Sequence, residues 1–288
     1  MANRQKILIL GASGMLGNAV YRTFATSPGF DVVGTVRNAS SKIVLPEGAS
    51  GELLMGVDAE QVDSLVATFE KVRPDIVINC IGLVKQLAVT NDPLLTLPIN
   101  AALPHRLARI SALVDARLIH VSTDCVFTGR IGDYRESDEP DAQDLYGRSK
   151  LLGEVDYPNA ITLRTSIIGT ELGSAHGLIG WFLDQTGPVK GFTKAIFSGL
   201  PTAVLAQVMR DNVVPNPALC GLWHVSADPI AKFDLLQLVA TEYGKNVEII
   251  PDDQLVIDRS LNSSRFREAT GWSPPSWRQL ITQMRQFG

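Results

Sequence analysis

Cysteine is scarce in this sequence, long apolar runs are absent, and positive charge is not in excess. Each shortage removes a class of function. Cys80, Cys125 and Cys220 are the only three cysteines in 288 residues. Odd in number and widely spaced, they build neither a disulfide framework nor a zinc site, so no metal is expected. Cys80 and Cys125 end apolar runs and read as buried, reduced thiols, which fits a reducing compartment. No apolar run approaches the roughly 20 residues that span a bilayer. Met1–Lys6 leads straight into an apolar strand without a cleavable hydrophobic leader. The expectation is a cytoplasmic chain without membrane contact. A formal net charge of −4 gives no electrostatic attraction for nucleic acid, and none is expected as a partner.

What is present is an alternation of short buried strands and amphipathic helices. Lys6–Leu10 is a continuous apolar run, as in a strand covered on both faces. It runs into Gly11, Ser13, Gly14, Met15, Leu16 and Gly17, and then into a helical pattern through Phe24. A glycine turn between a buried strand and a helix lets a backbone approach a phosphate, and the helix start supplies free N–H groups. The spacing is Gly-x-x-Gly-x-x-Gly. Further strands are expected at Asp31–Val36, Glu52–Val57, Asp75–Cys80, Arg117–Val121 and Ala160–Arg164. A helix is expected over Ala59–Lys71, with Val62, Leu65, Val66 and Phe69 inward. A second spans Asp92–Ala116, broken or kinked by Pro98 and Pro104. Ser40–Gly51 and Ser260–Arg267 read as loops, and His120 as a satisfied core histidine.

This rhythm predicts an α/β fold, a Rossmann-like doubly wound parallel sheet with a small C-terminal substrate-binding lobe. Residues 1–164 and 202–226 would form the NADP-binding domain, and 165–201 and 227–288 the lobe. In such sheets ligands lie beyond the carboxyl ends of the strands. Gly11, Arg37, Asp58, Cys80, Thr123 and Arg164 all fall near those ends. Arg37 follows the second strand, where an NAD-preferring site usually has a carboxylate. NADPH is therefore the expected cofactor, with NADH as the alternative.

The centre of the chain is Asp144–Lys150 (DLYGRSK). On a helix, Tyr146 and Lys150 share one face. A free phenol has a pKa of about 10, and a neighbouring ammonium draws it toward the working range.

Together these residues resemble the extended short-chain dehydrogenase/reductase family, and within it the dTDP-4-dehydrorhamnose reductase branch. The resemblance is carried by the glycine turn, Ser122–Phe127 (STDCVF), Tyr146–Lys150, Leu163–Ser166, Gly199–Thr202, Gly221–Ser226 and Asp258–Ser263. It implies that Tyr146 is a general acid, that Lys150 holds the nicotinamide ribose, and that Thr123 bonds the reacting carbonyl oxygen. Asn100 matches an asparagine of a water-linked proton path. Asp58 and Ala59 would meet adenine, while Cys80, Ile81, Gly82 and Ser122 would line the ribose and nicotinamide approach. Thr123, Asp124, Tyr146, Ser166 and Trp181 would face the substrate, although Trp181 reads first as a core residue.

Two positions depart from the branch. Cys125 stands where the branch commonly has tyrosine and the related dehydratases have a catalytic glutamate, which disfavours dehydration. Ile167 replaces a tryptophan that would face the hexose. The expected activity is reduction of the 4-keto group of a 6-deoxy-4-keto sugar nucleotide on dTDP or UDP, serving surface polysaccharide synthesis, by a monomer or homodimer. Two alternatives stand beside it. One is a sugar-nucleotide epimerase with tightly held NAD. The other is a non-catalytic NADP-binding regulatory subunit, like that of methionine adenosyltransferase.

Overall fold

The computed structural model describes residues 4–38, 43, 45–85, 88–172 and 177–288. Residues 40–42 and 44 of the expected Ser40–Gly51 loop lie outside these, as do residues 1–3, 39, 86–87 and 173–176. The central sheet has seven strands. Six of them are Gln5–Leu10 (β1), Phe30–Val36 (β2), Glu52–Met55 (β3), Ile76–Asn79 (β4), Arg117–Thr123 (β5) and Ala160–Thr165 (β6), and the seventh is Gly221–His224. Their order across the sheet is Gly221–His224, β6, β5, β4, β1, β2, β3. The pairs β1–β2, β1–β4, β2–β3 and β4–β5 are parallel. Strand order therefore reverses between β1 and β4, the switch point at which doubly wound sheets bind ligands.

Two compact units make up the chain. The first comprises Met1–Ser122, Asp144–Leu163 and Ala206–Leu222. Its helices are Met15–Ala25 (α1), Val62–Val72 (α2), Pro93–Thr96 (α3), Leu103–Leu113 (α4) and Leu145–Leu152 (α5). Leu8, Leu10, Leu65, Phe69, Leu107 and Leu118 are fully or almost fully buried in its core. α2 is rotated from the expected face: Leu65, Thr68, Phe69 and Val72 are buried, while Val62 and Val66 are exposed. The expected quartet contained two valines that the sheet does not need, since Val72 supplies the last turn of the inward face.

The expected interruption over residues 92–116 takes the form of a change of helix type at the two prolines, not of a gap. Asp92 caps α3 by accepting the Leu94 N–H at 2.9 Å. The chain then stays helical through a π-helical turn, Leu97–Ala102, into α4. Pro104 has no N–H for the Asn100 carbonyl, and the ladder widens here, so that Leu103 N donates to Pro98 O. The two prolines change the helix type without ending it.

The second unit comprises Thr123–Gln143, Arg164–Leu205 and Trp223–Gly288. In it Ala195–Phe197 lies between Ile230–Ala231 and Ile257–Asp258. Val189–Phe192 pairs with Ile249–Asp252. Helices Leu178–Asp184, Lys232–Tyr243 and Trp277–Phe287 bury Phe182, Leu235, Leu236, Ile281 and Met284 in one cluster. The expected Ser260–Arg267 loop instead opens a helix, Ser264–Thr270. Asn262 accepts the Ser264 N–H, Phe266 is the buried anchor, and Gly271 closes the helix in the left-handed region. One apolar anchor in a polar stretch has no periodicity to reveal it. Among the described residues no helix is long and apolar enough to cross a membrane.

Candidate functional site

The glycine turn sits where β1 hands over to α1. Gly11 has φ +82, and a Cβ at Gly17 would stand 2.0 Å from the Gly11 carbonyl oxygen, so neither position accepts a side chain without movement. Thr35 on β2 fixes the turn from below: its Oγ1 accepts the Gly11 N–H at 3.2 Å and its carbonyl the Ala12 N–H at 2.9 Å. Gly14 is the N-cap of α1 and contributes no side-chain cap. Ser13 and Met15 are half-buried, and Leu16 is buried. An uncapped helix start behind a turn with glycine at positions 11, 14 and 17 fits the diphosphate of a dinucleotide. Arg37 is exposed just past β2. Asp58 follows β3 and turns back on itself, its Oδ1 accepting the Glu60 N–H and its own N–H donating to Ser64 Oγ. Ala59 is buried in the core of the unit.

At the β4 end, Cys80 is half-buried, not fully buried as expected, and burial pushes its thiol up to about 12. It is a free thiol, as are Cys125 (half-buried) and Cys220 (exposed). Ile81, Gly82 and Leu83 form a turn held by two side-chain amides. Asn79 Oδ1 accepts the Ile81 N–H at 3.1 Å. Asn100, from the π-helical turn, accepts the Leu83 N–H at 2.9 Å and donates to the Leu83 carbonyl at 3.1 Å. Asn100 Nδ2 also donates to Ser149 Oγ, which in turn donates to the Tyr146 carbonyl at 2.8 Å.

Tyr146 and Lys150 both lie on α5, four residues apart. The helix begins at Asp144, whose Oδ1 caps the Gly147 N–H and whose Oδ2 pairs with Lys85 Nζ at 2.6 Å. Lys150 is buried, and its Nζ donates to the Val121 carbonyl at 2.7 Å. A Cβ on Gly82 would lie 3.9 Å from that Nζ and 3.5 Å from Asn100 Oδ1, so the glycine leaves the ammonium a bare neighbour. Burial lowers the Lys150 pKa to about 8, opposed by the charge of Glu154. Tyr146 is half-buried. Ser122 is buried, and its hydroxyl donates to Glu154 Oε1 at 2.7 Å.

In the second unit, Thr123 Oγ1 donates to Asp124 Oδ1 and accepts the Cys125 N–H, both at 3.1 Å. Asp124 is buried. Desolvation raises its pKa, against the charge of Arg259 and hydrogen bonds from Cys125, Thr123 and Ser166. Ser166 is half-buried. Trp181, read first as core, is 40% exposed. Ile179 and Phe182 are the buried residues of the same short helix, and Trp181 is left on the solvent side.

The RmlD substrate binding domain model matches residues 5–286. This chain belongs to that family. A reductase of Haloferax volcanii, described as a probable low-salt glycan biosynthesis reductase, is 32% identical over 273 residues, which is 91% of this chain and 85% of that protein. The mouse methionine adenosyltransferase 2 subunit beta is 33% identical over 260 residues, 83% of this chain and 72% of that one. Among solved structures, a dTDP-4-dehydrorhamnose reductase of Bacillus anthracis in complex with NADP superposes with a TM-score of 0.80, covering 100% of both chains at 20% identity. That likeness extends the family's fold over the whole chain.

Several residues of this family member build the site without having been legible as site residues. Thr35 looks like any strand threonine until the register β1–β2 brings it under the glycine turn. Asn79 and Ser149 bond the turn and helix from buried positions. Glu154 had one available signal, its place four residues after Lys150. Among the described residues no group of three or more His, Cys, Asp or Glu could hold a metal ion. Chemically, the first unit offers a helix start suited to phosphate, a bare glycine turn, and a buried ammonium sharing a short helix with a phenol.

Proposed function

We propose that this chain is an NADPH-dependent reductase of the 4-keto group of a 6-deoxy-4-keto sugar nucleotide, on dTDP or UDP, in surface polysaccharide or deoxysugar synthesis. The observation that carries the reading is Lys150: a buried ammonium on a main-chain carbonyl, beside a bare glycine and one helical turn from Tyr146. The family supports it, and the relative from Haloferax volcanii is named as a reductase.

In this mechanism NADPH, or NADH as the alternative, supplies a hydride to the carbonyl carbon. Gly11, Ser13, Gly14, Met15, Leu16 and Gly17 receive the diphosphate, Arg37 the 2′-phosphate, and Asp58 and Ala59 the adenine. Lys150 holds the nicotinamide ribose, with Cys80, Ile81, Gly82 and Ser122 as the wall beside it. Tyr146 gives its phenolic proton to the carbonyl oxygen, and Thr123 hydrogen-bonds that oxygen as charge grows on it. Asn100 carries the proton path that refills Tyr146. Asp124, Ser166 and Trp181 face the sugar. Residues 1–164 and 202–226 act as the cofactor-binding domain, with 165–201 and 227–288 as the substrate lobe. The chain works in the cytoplasm as a monomer or homodimer.

The test is NADPH oxidation against a panel of dTDP-, UDP- and GDP-linked 4-keto sugars. Turnover is expected with a dTDP or UDP member. A second reading, a non-catalytic NADP-binding regulatory subunit, is favoured by the identity to the mouse adenosyltransferase subunit. It predicts NADPH binding with no oxidation by any sugar of the panel. Tightly held stoichiometric NAD in the purified protein would instead favour an epimerase.

A further inference from the structure

His120 is buried on β5, opposite Asn79 of β4 in the parallel register. It was expected to be a satisfied core histidine, yet only one ring nitrogen has a partner. Nδ1 lies 3.2 Å from Asn79 Nδ2, whereas Nε2 is buried with no hydrogen bond. The orientation of the Asn79 amide is not free. Its Oδ1 accepts the Ile81 N–H at 3.1 Å, so the atom facing His120 is the NH2 group. An NH2 group only donates, which makes Nδ1 the acceptor and puts the single ring proton on Nε2. Burial first, then the charges of Lys150 and His105, hold the imidazole pKa well below its usual value. The ring is neutral, and its one proton has no hydrogen-bond partner among the described residues.

An unpaired buried donor is costly. An apolar side chain would avoid that cost, so what the imidazole contributes is the Nδ1 lone pair. We propose that His120 is a positioning residue for the cofactor-side turn: its Nδ1 locks the Asn79 amide, and Asn79 thereby holds the Ile81 N–H. Asn100 grips the same turn two residues later, at both polar atoms of Leu83. The turn is thus clamped at each end by an amide, and Gly82 between the clamps is the residue beside Lys150 Nζ. Losing the His120 clamp frees one end of the segment that walls the nicotinamide ribose. The inference rests on the cofactor reading given above.

Three proteins test it: wild type, His120→Leu, which has no acceptor, and His120→Asn, whose Oδ1 stands near where Nδ1 stood. His120→Asn leaves unfilled volume, His120→Leu replaces the planar ring with a bulkier branched side chain and leaves the Asn79 NH2 unpaired, and both are expected to be less stable. The discriminating readout is the NADPH dissociation constant of the folded proteins. It is expected to rise about tenfold in His120→Leu and to stay within about twofold of wild type in His120→Asn. Equal constants in all three, or an equal rise in both variants, would overturn the inference. Imidazole 15N spectra of the wild type give an answer that does not depend on how His120→Leu folds. The Nε2–H tautomer is expected for the signal that His120→Asn removes, and the Nδ1–H tautomer would overturn the inference. Absence of NADPH binding in the wild type would overturn the cofactor reading and this inference with it. A wild-type constant unchanged in His120→Leu overturns the inference alone.

Discussion

Lys150 in the first unit and Arg164 in the second are both cations withdrawn from water, 6% and 1% exposed, and they are held in opposite ways. Lys150 gives its Nζ to one main-chain carbonyl and keeps a glycine as neighbour, and burial brings its pKa to about 8. Arg164 is walled in. Its Nη1 meets His224 Nε2 at 3.0 Å, and its guanidinium sits 5.0 Å from the Phe127 ring centroid, with Phe127 stacked on Tyr134 at 4.0 Å. His224 also contacts the Tyr134 carbonyl through Nδ1. Burial, then the Arg164 charge, brings His224 down to about 3, so it stays neutral and can accept from Arg164. Withdrawal from water does not by itself mark a chemical group. Arg164 is a structural pin closed in by aromatic and imidazole rings, whereas Lys150 keeps a glycine at its side, as its proposed role requires.

The comparison breaks most sharply at Lys150. Lys150→Met is expected to lower kcat/KM by about 10³-fold while the unfolding midpoint holds or rises, because a buried charge has been removed. A fall in stability with unchanged turnover would exchange the roles of the two cations. Since the ammonium is lost as pH rises through about 8, wild-type kcat/KM is expected to decline above that pH. Lys150→Arg, which keeps its charge, should move the decline upward.

Arg164→Leu should do the reverse. It leaves the His224 Nε2 acceptor unpaired and removes the contact with Phe127, which should cost about 3 kcal/mol of stability by denaturant titration. NADPH binding by the folded fraction should be unaffected.

The acid side sharpens the same contrast. The folded-state pKa of His224 lies below its unfolded value, so between about 6.5 and about 3 the unfolded chain binds the extra proton. Stability therefore falls as pH drops through that window, by about 1.4 kcal/mol per pH unit for this one group. His224→Phe should flatten that slope. The smallest effect is expected at Asp144→Ala, which removes the α5 cap and the Lys85 pair and should cost about 1 kcal/mol, read as a lower thermal midpoint.

Legibility in the sequence followed the range of the interactions. The glycine turn and the Tyr146–Lys150 helix are local patterns, and each is found where its spacing indicates. The alternation of strands and helices likewise gave the sheet, because buried parallel strands are short apolar runs. What stayed hidden depends on register or on a single anchor. Val62 and Val66 share a helix with the buried Leu65 and Phe69, and only packing decides which valine goes inward. Phe266 is the one buried residue of the Ser264–Thr270 helix. The opposition of Asn79 and His120 exists only once β4 and β5 are aligned, and the Ser122–Glu154 bond once β5 and the end of α5 meet.

The most direct test of the account is Tyr146→Phe, measured for NADPH affinity and for single-turnover oxidation with the best sugar of the panel. The phenol is proposed to give up a proton and the ammonium to hold the cofactor. The dissociation constant should therefore stay within about twofold of wild type while turnover falls by about 10³-fold. Turnover equal to wild type would contradict the account.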